Sequence, residues 1–122
     1  VPTDYEWTVL NDYLGGSAVA GGKMKSTGTQ YWLYPNSDAT NESGFSGLPG
    51  GDRLNNGRFS KVGSNGRWWS STDDAKNAFL YNHPKDLQGH PIWARGLSYR
   101  NCDGGRVNGM KKGGYSVRCL RD

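Results

Sequence analysis

Apolar positions follow a helical period at the start of the chain and a strand period through much of the rest. Trp7, Leu10 and Leu14 fall at i, i+3 and i+7, which puts one apolar stripe on a helix. Thr3 and Glu6 precede it as a capping box, a hydroxyl acceptor followed three residues later by a carboxylate. Gly15-Gly16 supplies the stop. The pattern predicts a helix over residues 4–14 and a turn or short helix at 17–20, closed by Gly21-Gly22. Beyond it the period falls to two, in short runs separated by Gly, Pro, Asn and Asp. Strands are expected over 30–34, 45–48, 58–62, 67–71, 92–99, 106–110 and 114–120. The last run alternates Tyr115, Val117 and Cys119 against Ser116, Arg118 and Leu120, as in a half-buried strand. Residues 74–80 read as a brief helix. Residues 82–91, with two His-Pro steps, read as a surface loop.

Composition changes this picture in one respect. Only 34% of residues are hydrophobic, but five Trp, seven Tyr and three Phe are among them, beside 19 glycines. Disordered chains are depleted in aromatics, so a folded, loop-heavy α+β domain is expected over residues 1–122. With few aliphatic residues, Trp7, Trp68 and Trp69 are expected to supply one core.

The charge is uneven. Residues 1–84 carry seven Lys/Arg against eight Asp/Glu, and residues 85–122 carry eight against three. The basic residues of the last third are scattered among Gly and Asn, so nucleic-acid binding is not expected. No apolar run approaches the length of a membrane-spanning helix, about 20 residues, so no direct membrane insertion is expected.

Candidate chemistry is sparse. His83 and His90 lack a third ligand and read as surface residues. Asp73-Asp74 reads as capping or solvation, and no EF-hand spacing occurs. No cofactor or catalytic metal is expected, although loop carbonyls are compatible with a structural calcium. Cys102 and Cys119, 17 residues apart, are either a disulfide or two unrelated thiols. Trp93, Arg95, Tyr99, Arg100, Asn101, Asp103, Arg106 and Asn108 concentrate aromatic, Arg and Asn side chains in one segment. Such residues suit a ligand-binding surface. The alternative is an ordinary sheet face with edge loops.

Several motifs in order carry a family resemblance: Val1-Pro2-Thr3-Asp4 with Glu6-Trp7, Tyr13-Leu14-Gly15-Gly16, Ala20-Gly21-Gly22-Lys23-Met24-Lys25, Asn41-Glu42-Ser43-Gly44-Phe45, Leu48-Pro49-Gly50-Gly51, Trp68-Trp69-Ser70-Ser71-Thr72 and Tyr115-Ser116-Val117-Arg118-Cys119. The chain resembles the Fibrobacter succinogenes major paralogous domain family of bacterial surface proteins. That resemblance implies a C-type-lectin-like fold, related to formylglycine-generating enzymes, with helices on short twisted antiparallel sheets. It also implies an upstream first strand and a cysteine that are not in this sequence, the latter a rival partner for Cys119. The redox cysteine pair of the related enzymes, the iron-binding histidines of the sulfoxide synthases and the Glu-Pro-Asn or Gln-Pro-Asp of calcium-dependent lectins have no counterpart here. The expected function is therefore a non-enzymatic binding or display module of an extracellular or lipoprotein-type surface protein. Its ligand is a surface protein or a glycan, met in the C-terminal third. The alternatives are a structural domain of a fimbrial or adhesin assembly, or a variable receptor of a diversity-generating retroelement differing among siblings over residues 93–112.

Overall fold

A computed structural model describes residues 1–73 and 92–121. The predicted helix at 74–80, the loop at 82–91 and both histidines lie outside the described residues.

The first helix, α1, spans Asp4–Tyr13. Thr3 Oγ1 accepts from the Glu6 N–H at 3.2 Å, and the Thr3 N–H donates to Glu6 Oε2 at 2.7 Å, completing the capping box. The helix closes at Gly15-Gly16, both at positive φ. There the Gly16 N–H reaches Asn11 O at 2.8 Å and the Gly15 N–H reaches Asp12 O at 3.1 Å. These are the two bonds of a Schellman closure.

The second helix, α2, spans Ser17–Met24 and runs through Gly21-Gly22, where a stop was expected. These glycines serve packing instead. A Cβ on Gly21 would stand 1.9 Å from Asp103 O, and one on Gly22 would stand 2.5 Å from Asp38 O. The helix keeps its glycines because other backbone crosses it at contact distance.

Two short ladders follow. β1 (Asp52–Arg53) pairs with β2 (Phe59–Ser60), the remnant of the strand expected over 58–62. β3 (Asn65–Asp73), β4 (Ile92–Ser98) and β5 (Arg106–Gly109) form an antiparallel sheet in that order. Trp68 lies opposite Arg95, and Arg95 opposite Arg106.

The expected strands at 30–34 and 45–48 do not form. The first is an irregular turn that buries only Trp32, and the second reduces to one bridge between Lys25 and Gly47. The terminal run is not a strand either. Gly114 bridges Arg53 and Ser116 bridges Trp68, after which the chain leaves the sheet with Val117 and Leu120 more than half exposed.

The core joins Trp7, Leu14, Ala20, Met24, Trp32, Trp68 and Leu97, with Leu10, Phe45 and Tyr99 packed against it. Phe45 meets Trp7 and Trp68 edge-on, at 5.8 and 5.3 Å between ring centroids. Trp69 does not share this core. Neighbouring strand residues face opposite sides, and the Trp69 ring packs on Tyr115 at 4.3 Å on the far face.

Candidate functional site

Strand register sorts the C-terminal third into two faces. Trp93, Arg95, Leu97, Arg106 and Asn108 share the side of Trp68 and α1. Ala94, Gly96, Ser98 and Val107 share the other side with Asn65, Arg67 and Trp69.

On the α1 side, Asp4 gathers two arginines. Arg95 Nη2 donates to Asp4 Oδ1 at 2.8 Å, to Asp4 O at 3.0 Å and to Thr8 Oγ1 at 2.7 Å. Arg106 donates from Nε to Asp4 Oδ1 at 3.1 Å and from Nη2 to Asp4 Oδ2 at 2.5 Å, and its guanidinium lies 4.7 Å above the Trp93 ring. Burial pulls the Arg95 pKa below its ordinary value, and Asp4 opposes that shift. This changes the expected ligand surface. Arg95 is 4% exposed and serves packing, Arg106 and Trp93 are engaged with each other and with α1, and Tyr99 packs on the core. This stretch is fastened to α1.

Besides Arg106, which is exposed but paired with Asp4, four of the eight expected residues are exposed: Arg100, Asn101, Asp103 and Asn108. The first three ride on the connection between β4 and β5, which is held from beneath. Lys25 has no exposed surface, and its Nζ donates to Ser37 O at 2.8 Å and to Ser98 O and Asn101 O, both at 2.9 Å. Asn11 Nδ2 donates to Gly104 O. The Gly104 N–H donates to Ser17 O at 2.7 Å, and the Gly22 N–H to Cys102 O at 3.1 Å. Cys102 and Cys119 are both free thiols, and Cys102 Sγ sits 3.1 Å from Ala18 O. Burial lowers the Lys25 pKa, against the attraction of Cys102 and Asp38.

Beside this loop lies an open hollow of about 220 Å³, lined by Asn65, Arg67, Ser98, Asn101, Asp103 and Val107 among others. Arg67 Nη1 pairs with Asp52 Oδ2 at 3.0 Å, and the guanidinium lies 5.7 Å from the Tyr115 ring. The hollow thus offers amide, hydroxyl, guanidinium and carboxylate groups with both signs of charge. Asn65, Arg67, Ser98 and Val107 were not among the expected site residues. Their signal was the alternation of β3, which turns Arg67 away from Trp68, but using it requires knowing which strands pair.

The family model described as the Fibrobacter succinogenes major domain matches residues 1–121. The chain belongs to this family. No curated protein and no solved structure matches it. Among the described residues, no three His, Cys, Asp or Glu side chains cluster to hold a metal ion, and no helix is long and apolar enough to cross a membrane.

Proposed function

We propose that this domain is a non-enzymatic binding or display module with a C-type-lectin-like body, carried on a bacterial surface protein. It meets a surface protein or glycan through the β4–β5 connection and the adjoining hollow. One observation carries this reading: a polar loop presenting Arg100, Asn101 and Asp103 is fixed from below by Lys25, Asn11 and the backbone of α2. A loop ordered before binding loses little conformational freedom on contact, so its polar groups act at full strength. Two helices and small antiparallel sheets with long connections are compatible with the C-type-lectin-like architecture.

The test is affinity capture on the immobilised domain from a surface extract of the source bacterium, followed by titration of the captured ligand. Asn101→Ala, Asp103→Ala and Arg67→Ala should each weaken binding by more than about 1 kcal/mol if they are central contacts. Unchanged affinity in all three, with loss on altering the surface of residues 1–60, moves the site elsewhere.

A further inference from the structure

The two edges of the three-stranded sheet differ. The β3 edge is covered: the Trp69 N–H donates to Ser116 O at 3.0 Å, the Ser116 N–H to Arg67 O at 2.9 Å and the Ser71 N–H to Pro2 O at 2.8 Å. On the other side, the Gly96 N–H donates to Gly105 O at 3.0 Å, and Ala94 and Ile92 lie opposite Val107 and Gly109. Gly105, Val107 and Gly109 therefore turn their peptide groups toward β4. The antiparallel alternation sends the N–H and C=O of Arg106 and Asn108 outward. Among the described residues no hydrogen bond reaches these four groups, and both residues are exposed. Such a row of unpaired groups is a template for another strand.

Charge selects the occupant. Between Arg100 and Lys112, around β5, the chain carries four basic side chains and one acidic one. Beside β5, on the α1 side, two guanidiniums share the single carboxylate of Asp4. Lys112 is exposed just past the strand. A second copy pairing β5 with β5 would bring two basic clusters together, which is unfavourable. An acidic chain meets the opposite sign, and a carboxylate placed across from Arg106 falls on the guanidinium side.

We propose that the β5 edge docks an extended acidic peptide segment of a partner, which adds as a fourth strand through the backbone of Arg106 and Asn108. This site lies in the plane of the sheet, so it stands whether or not the hollow binds a ligand.

The probe is a ten-residue peptide alternating glutamate and valine. The controls are the lysine–valine counterpart and the same glutamate–valine peptide N-methylated at every glutamate, which keeps its charge. With the intact domain, the first peptide should bind, weaken as salt is raised, and slow amide hydrogen exchange at Arg106 and Asn108 at least tenfold. The N-methylated peptide lacks the glutamate N–H groups that would face the backbone of Arg106 and Asn108 and should give no such protection; the lysine peptide should not bind. Asn108→Pro removes an outward N–H without touching the β4 ladder, and proline is tolerated on an edge. It should abolish binding while leaving the melting temperature within about 2 °C. Lys112→Glu, an independent exposed change, should weaken binding about threefold. Asn101→Ala should leave peptide binding unchanged. Equal binding of the N-methylated peptide, binding without protection at Arg106 and Asn108, or protection that appears only as protein concentration rises would each overturn the proposal. The last would assign the edge to a second copy.

Discussion

The ammonium of Lys25 is wholly enclosed and donates to three carbonyls, one at Ser37 and two, Ser98 and Asn101, at the start of the β4–β5 connection. Lys25→Met keeps the stem but leaves the carbonyls of Ser37, Ser98 and Asn101 without that donor. With about 1–3 kcal/mol for an orphaned buried group, the variant should lose about 2–4 kcal/mol in urea denaturation. The lowered pKa gives a second readout. Between the folded value and the ordinary 10.5, the unfolded state binds more protons, so this residue makes stability rise with pH across that window. The stability difference between wild type and Lys25→Met should therefore grow as pH rises toward 10.5, and a flat difference would contradict it. Glu6 titrates with the opposite outcome. The Thr3 N–H and hydroxyl hold its pKa below 4.5, so its contribution is present above that value and lost as pH falls through the folded one. Glu6→Gln keeps a capping acceptor and should remove that part of the acid limb. The Thr3–Glu6 pair was legible in the sequence because both partners lie within one turn. Lys25 was not, because its acceptors lie 12, 73 and 76 residues away.

Elements were legible where their cause was local. The stripe of α1, its cap and its glycine stop could be read directly, and β3, β4 and β5 stand close to their expected spans. The misreadings came from long-range contacts. Gly21-Gly22 looks like a terminator until Asp103 and Asp38 are known to cross it. Gly21→Ala sets a helix-propensity gain of about 1 kcal/mol against a Cβ at 1.9 Å from backbone oxygen. Backbone cannot swing aside as a side-chain tip can, so the clash should win, lowering stability by about 1–3 kcal/mol in thermal or urea denaturation. An increase in stability would contradict the close crossing. The paired tryptophans show the same limit. Trp7→Ala should cost about 3–5 kcal/mol, because the ring is enclosed. Trp69→Ala, on the half-buried far face, should cost about half that or less. Equal losses would mean that both rings share one core.

At the scale of the whole molecule, Asp4 links the first helix to the last two strands. Asp4→Asn leaves Arg95 buried without its counter-charge, which should destabilise the domain by about 3–5 kcal/mol. Loss of under 1 kcal/mol on denaturation would show that Thr8 and the Asp4 carbonyl suffice for Arg95. The same link explains why the candidate site was only half legible. Composition placed Trp93, Arg95, Tyr99 and Arg106 on a recognition surface, but the long-range pairing with α1 and the core committed them to structure. Arg100, Asn101 and Asp103 stayed outward because Lys25 and α2 bind the loop through its backbone and leave these three at the surface. The central claim is that this fixed loop, with the hollow beside it, is where a ligand is met. The most direct measurement is amide hydrogen exchange across the domain, free and with its captured ligand bound. Protection concentrated in residues 65–67 and 99–105 is predicted, and protection confined to residues 1–60 would contradict it.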